Sequence, residues 1–295
     1  MTSPRPTFAA RSASKATLAS AGAGGLFVGT SGWSYSDWVG PFYPPDLPTR
    51  EWLGFYSSQF RTVELNVTFY RLPFEPMLHA WNQRAPDGFL FAVKGWRRIT
   101  HVLRLDSVDE PLRVFGERIQ LLGDHLGPVL WQLPPSLRYD PERLDRFAQQ
   151  LPRDWRHAIE FRHTSWLCAD TYDLLRRHGL ALVLVSSLRM PMVTEVTAPF
   201  VYLRFHGLEG GYAHDYTLAE LRPWAEFARQ QLAEGHEVFA YFNNDVAAQA
   251  IVSARRFEQL VRDTGSADAR SAQSPSQRAV RNHPSGTRSQ AGGAP

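Results

Sequence analysis

Between residues 26 and 263 the chain alternates between short β-branched and aromatic runs and longer segments whose apolar residues recur at helical spacing. The runs predict eight strands, at Leu26–Ser31, Arg61–Asn66, Gly88–Lys94, Pro128–Leu133, His157–Phe161, Leu180–Ser186, Phe200–Phe205 and Glu237–Phe242. Several helices between them carry marked ends. Asp140-Pro141 offers a cap and a first-turn proline for a helix over Glu142–Leu151. Thr217 and Glu220 have capping-box spacing, for a helix that stops near Gly235. Gly179 can end the helix before the sixth strand, and Asn244 or Asp245 can cap Val246–Arg262. The chain shows no internal repeat.

Eight strands alternating with helices over this length predict an α/β fold, a (β/α)8 TIM-type barrel in one domain over residues 26–263. The competitor is a doubly wound open sheet, which usually carries a glycine-rich phosphate turn after its first strand. Here that turn is Gly29-Thr30-Ser31-Gly32-Trp33, which is not G-x-G-x-x-G.

Strand parity sharpens the expectation, because successive side chains face opposite sides of a strand. Val63, Leu65 and Val67 oppose Thr62, Glu64 and Asn66. Phe89, Phe91 and Val93 oppose Leu90, Ala92 and Lys94. Ile159 and Phe161 oppose Glu160 and Arg162, and Val201, Leu203 and Phe205 oppose Tyr202, Arg204 and His206. The bulky apolar set suits the helix layer. The other set points inward, and its polar members gather at the C-terminal strand ends, where barrel enzymes build their sites.

Charge changes the picture only after it is divided. The whole chain carries a net +3, but residues 1–25 and 264–295 together carry +6, leaving −3 on the remainder. Both terminal segments are rich in small and polar residues, have no periodic apolar pattern, and are expected to be a disordered N-terminal extension and a disordered C-terminal tail. The mildly acidic core gives no bulk electrostatic argument for nucleic acid. The N-terminal segment lacks the apolar stretch of a secretory signal, and no run is long enough for a membrane span. The single cysteine, Cys168, excludes an intrachain disulfide framework and a Cys-rich zinc module, and fits a reducing, cytoplasmic setting. Nothing in the pattern specifies an oligomeric state.

The motifs together resemble the YecE-like family, also called domain of unknown function 72. They include Gly29-Thr30-Ser31-Gly32-Trp33 with Tyr35 and Trp38, Thr62-Val63-Glu64-Leu65-Asn66 with Tyr70, and Phe89 to Lys94 with His101. Further on come Gly127 to Pro135, Glu160-Phe161-Arg162 with Trp166, Arg204-Phe205-His206-Gly207, and Tyr241-Phe242-Asn243-Asn244-Asp245. Val67 and Trp131 depart from the family's usual residues. The resemblance implies a TIM-type barrel and hands over no reaction; it suggests nucleic-acid binding by analogy to barrel endonucleases.

Candidate chemistry centres on Lys94, since the chain's only other lysine, Lys15, lies in the N-terminal segment. Lys94 could bind phosphate or carboxylate, act as a base or Schiff-base nucleophile, or merely form an ion pair with Glu64 or Glu160. Glu64 and Glu160 could divide acid and base roles, or be neutralised by Lys94, Arg162 and Arg204. His206 and His101 are candidate acid–base or binding groups. Arg162 and Arg204 suit an anion. Asn66, Asn243 and Asn244 could hydrogen-bond a ligand, although one of the last two could simply cap the final helix. Trp33, Tyr35 and Tyr70 could stack a sugar or base, or fold into an aromatic plug.

No HxH or HExxH spacing points to a metal, no cofactor is implied, and Ser186-Ser187 lack a nucleophile elbow. The expected partner is a small anionic ligand, phosphate- or sugar-containing, handled by an enzyme. The alternative is a short nucleic acid or a phosphodiester.

Overall fold

The structure is a computed structural model and describes residues 25–263. The two terminal segments expected to be disordered lie outside these residues, apart from Gly25. Eight strands form: β1 Leu26–Thr30, β2 Thr62–Leu65, β3 Leu90–Lys94, β4 Leu126–Gln132, β5 His157–Glu160, β6 Ala181–Ser186, β7 Phe200–Phe205 and β8 Glu237–Phe242. All are where the sequence places them, with ends shifted by no more than two residues. Every pair is parallel, in the order β1-β8-β7-β6-β5-β4-β3-β2, so the sheet curls until its first two strands meet.

The seam between β1 and β2 is closed differently from the rest. One bridge joins Ser31 to Glu64, with the Gly32 amide donating to the Glu64 carbonyl at 2.8 Å. Below it the ladder is replaced by a side chain. The fully buried Tyr56 hydroxyl accepts from the Thr30 amide at 2.9 Å and donates to the Thr62 carbonyl at 3.1 Å. Gly29 permits this approach, since a Cβ there would lie 2.2 Å from the Thr62 carbonyl oxygen.

Eight α-helical segments accompany the strands: α1 Trp52–Gln59, α2 Val67–Tyr70, α3 Glu75–Arg84, α4 Asp109–Ile119, α5 Pro141–Ala148, α6 Ala169–His178, α7 Leu218–Ala233 and α8 Gln249–Arg262. The expected ends hold at three of them. The Asp140 carboxylate accepts from the Arg143 amide at 3.0 Å, Thr217 and Glu220 form a reciprocal capping box, and Gly179 takes φ 67° after α6. The start of the last helix differs. Neither Asn244 nor Asp245 caps it; the Asp37 carboxylate, from the first loop, accepts from the Ala247 amide at 2.8 Å.

The alternation breaks once, because β6 runs to β7 through residues 187–199 without a helix. Pro191 and Pro199, with the β-branched Val193, Thr194, Val196 and Thr197, disfavour one. Thr197 instead clips this segment to the sheet, donating to the Leu180 carbonyl and accepting from the Leu182 amide.

Two cores result. Val63, Leu65, Phe91, Val93, Ile159, Leu203 and Phe205 pack outward into the helix layer, as parity predicts. Inside the barrel lie Phe27, Ala92, Leu130, Ala158, Val183, Tyr202, Phe239 and Tyr241, with Phe27 and Phe239 stacked at 4.8 Å. Among the described residues no helix is long and apolar enough to cross a membrane.

Candidate functional site

Toward the C-terminal strand ends the inward positions become charged, and one guanidinium organises them. Arg204 on β7 is 1% exposed. Its Nη2 donates to Glu64 Oε1 at 2.6 Å and its Nη1 to Glu160 Oε2 at 2.5 Å, joining β2, β5 and β7 across the barrel. Glu64 also accepts from Ser31 and from Tyr202, each at 2.7 Å. Glu160 accepts from Gln132 and Arg162, each at 3.0 Å, and meets His206 Nε2 at 3.1 Å. Burial, the largest single effect, would raise both carboxyls, but Arg204 together with Lys94, Ser31 and Tyr202 at Glu64, and with His206 and Arg162 at Glu160, outweighs it: Glu64 is held below the usual carboxylate range and Glu160 well below. Both are ionised at neutral pH, and their acceptor sites are largely filled. They lie beneath the floor of the cavity rather than on its wall.

Lys94 ends β3 above this floor and is 9% exposed. No carboxylate of the described residues comes within 4.0 Å of its ammonium, because Arg204 occupies the two that could. Nζ instead lies 4.3 Å from the centre of the Phe69 ring, on the short helix α2. Burial first and the Arg204 charge second push its pKa down to about 8, against the pull of Glu160 and Glu64.

His206 follows β7. With Nε2 directed at Glu160, Nδ1 is left facing the Asn243 amide at 3.4 Å. Burial lowers its pKa and Glu160 opposes the shift. His101 sits in a π-helical turn, Arg98–Val102, with Nδ1 2.8 Å from Thr100 Oγ1 and its ring edge-on to Phe69 at 4.9 Å. Burial and the Lys94 charge bring it to about 4. Arg104, Leu105 and Ser107 then take positive φ, as do Ala247 and Ala248 after β8. Strained backbone and π-turns of this kind gather at functional sites, and here they flank one mouth.

The mouth opens on a cavity of about 850 Å³. Of the sequence candidates, Tyr35, Asn66, Tyr70, Lys94, His101, Arg162, Arg204, His206 and Asn243 line it. Asn66 donates to the Ser31 carbonyl at 3.4 Å, and its buried Oδ1 has no partner among the described residues. The Tyr35 hydroxyl donates to the Ser31 carbonyl at 2.5 Å beside Asp245, whose own pKa burial raises. Tyr70 stands on the rim, 72% exposed. Of the four cationic lining residues, Arg204 and Arg162 are matched by Glu64 and Glu160 beneath the floor, which leaves Lys94 and Arg97 against the single lining carboxylate of Asp245, so the cavity favours an anion although the core is acidic.

Comparison with known proteins fits this architecture. Residues 27–278 match the family described as Protein of unknown function DUF72. The chain belongs to that family. The UPF0759 protein YunF of Bacillus subtilis is 26% identical in an alignment 269 residues long that covers 80% of this chain and 94% of YunF. Among solved structures, a DUF72 family protein from Thermotoga maritima is 31% identical with a TM-score of 0.73, covering 80% of this chain and 99% of that one. One from Enterococcus faecalis, at 20% identity and a TM-score of 0.70 over 80% of this chain and 95% of its own, shares the fold.

Besides Glu64 and Glu160 beneath the floor, two further candidates in this DUF72 chain fall outside the cavity. Trp33 packs edge-on to Trp81 at 5.1 Å and near Phe91 at 6.3 Å, in the helix layer. Gly32 at φ 95° turns the chain just before it, so strand alternation no longer applies. Asn244 is fully buried, donating to the His214 carbonyl at 2.7 Å and to Ser253 at 3.0 Å. These bonds tie it to a loop and to α8. The aromatic first loop is largely a plug, with Trp38, Phe42 and Tyr43 buried together.

Sequence reasoning missed Gln132, Phe69, Arg97 and Tyr212, all on the cavity wall. Gln132 shares inward parity with Leu130, so the rule used on four other strands would have found it. Among the described residues no three His, Cys, Asp or Glu side chains converge in a way that could hold a metal ion.

Proposed function

We propose that this DUF72 protein is an enzyme acting on a small phosphate- or sugar-containing anion at the C-terminal mouth. The carrying observation is Lys94, a buried ammonium turned to an 850 Å³ cavity with no carboxylate within 4.0 Å. An unneutralised buried cation is costly, and an anionic ligand removes that cost. Arg162 and Arg97 extend the cationic wall toward solvent. Glu64 and Glu160 fix Arg204, and Glu160 with Asn243 orients His206, so the cavity holds two imidazoles, His206 and His101, able to move a proton. Hydrolysis and isomerisation both use such parts.

The exposed Tyr70 and Tyr212 on the rim support a second reading, a short single strand or one flipped nucleotide stacked there with its phosphate at the arginines.

Calorimetric titration with inorganic phosphate and with a sugar phosphate tests the first reading. Lys94→Met should weaken binding about tenfold or more, roughly 1.4 kcal/mol, in a protein that still folds. Unchanged affinity would remove Lys94 from the site. Tight binding of a short oligonucleotide at physiological salt, lost in Lys94→Met and absent for small phosphates, would favour the second.

A further inference from the structure

We infer that Lys94 is a covalent nucleophile whose amine forms an imine with an aldehyde or ketone bearing a phosphate or carboxylate. The inference rests on the anion-binding reading of the same mouth and names its substrate class. Throughout the described residues the chain uses arginine for positive charge, with Lys94 the one exception. An arginine fork holds an anion better than an ammonium does. What arginine cannot do at neutral pH is release a proton and attack a carbonyl carbon.

The surroundings suit the free amine. The carboxylates that would pin an ammonium as an ion pair are held by Arg204 at 2.6 and 2.5 Å. One side of Nζ is closed by the apolar face of Phe69 at 4.3 Å. With its pKa near 8, an appreciable fraction of the amine is unprotonated at neutral pH, far more than for a solvated lysine. Arg162 and Arg97 on the same wall can hold the anionic end of the substrate while its carbonyl meets Nζ.

His101 completes the chemistry. It packs on the same Phe69 ring, lines the same cavity, and is neutral at pH 7. Its Nδ1 is engaged by Thr100, and its Nε2 has no hydrogen-bond partner among the described residues. When Nζ adds to the carbonyl carbon, the carbon–oxygen π pair moves to oxygen and the nitrogen becomes positive. His101 takes one proton from that nitrogen and delivers it to the oxygen, giving a neutral carbinolamine. The nitrogen lone pair then forms the carbon–nitrogen double bond as the carbon–oxygen bond breaks, and His101 passes the nitrogen's second proton to the departing hydroxyl, which leaves as water. Amine and carbonyl thus give imine and water, with no oxidant or reductant.

The test uses the wild-type full chain, glycolaldehyde phosphate and its neutral counterpart glycolaldehyde, with cyanoborohydride to trap any imine as a secondary amine. Peptide mass spectrometry compares Lys94 with Lys15, an internal control in the same molecule. Expected is labelling of Lys94 about tenfold faster than Lys15, lost on denaturation and slowed by inorganic phosphate. Labelling of Lys94 no faster than Lys15 overturns the inference. If phosphate still binds in that case, the anion-binding reading survives alone. Equal labelling of Lys94 by both aldehydes, undiminished by phosphate, would keep the nucleophile and remove the anion site.

Discussion

The two halves of the barrel interior share a parity but not a chemistry. Along β7 the inward positions pass from Phe200 and Tyr202 to Arg204 and His206. Along β3 they pass from Leu90 and Ala92 to Lys94, and along β5 from Ala158 to Glu160 and Arg162. The lower half is held by shape, with alanines on three strands making room for the stacked Phe27 and Phe239. The upper half is held by charge that has been removed from water. Packing at the bottom is indifferent to pH and ligand, whereas the top is stable only while its ions stay matched. Lys94 is the place where they are not.

That contrast breaks most visibly at Arg204. Arg204→Met leaves two buried carboxylates without their cation and should cost about 3–5 kcal/mol at pH 7 by urea unfolding. The cost should shrink in acid. Glu64 and Glu160 have folded pKa values below their ordinary 4.5, so in the wild type their contribution is present above that pH and is lost as pH falls through the folded values. Without Arg204 the carboxyls protonate more readily, and acid relieves the variant. Phe239→Ala, in the lower half, should cost a comparable amount with no such pH dependence.

Lys94→Met gives the next largest effect, with the opposite sign. Its folded pKa of about 8 lies below the ordinary 10.5, so the unfolded chain holds the proton more tightly and the buried ammonium destabilises the fold below pH 8. That penalty fades as pH rises from 8 to 10.5. The variant should therefore melt higher than wild type at pH 7, and its advantage should vanish across that window. A variant that melts lower at pH 7 would mean that Lys94 is a structural cation after all.

The smallest pair of effects separates wall from scaffold. Asn244→Ala removes two buried hydrogen bonds and should cost about 1–2 kcal/mol with phosphate affinity unchanged. Tyr70→Ala, at an exposed site, should change stability by less than about 0.5 kcal/mol while weakening any ligand that stacks on the rim. Loss of phosphate affinity in Asn244→Ala with no loss of stability would reverse the two assignments.

Much of this was legible in the residues. Periodicity predicts the eight strands, and parity predicts that Glu64, Lys94, Glu160 and Arg204 meet inside the ring. What parity carries stops where regular backbone stops. Trp33 lies past the Gly32 turn, and Arg97 and Tyr212 sit at short helical turns beyond the strands, where alternation no longer applies. Asn244 lies one step out of phase with Tyr241 and Asn243, so alternation itself argued against it. The helix missing between β6 and β7 was foreshadowed by its prolines. The partition of the ions was not legible. Lys94, Arg162 and Arg204 compete for the two carboxylates, and only distances show that Arg204 takes both and leaves the lysine without a partner.

The Tyr56 hydroxyl at the β1–β2 seam has a mechanical consequence. Elsewhere two neighbouring strands part only when several peptide links let go together. Here the ring closes through one main-chain bond, from Gly32 to Glu64, and a phenol on a helix, so a swing of one side chain leaves a single peptide link at the seam. The barrel is thus a belt with a buckle rather than an endless hoop. The buckle lies just under Ser31 and Glu64, which hold the floor of the mouth, so slack in the belt is slack in that floor.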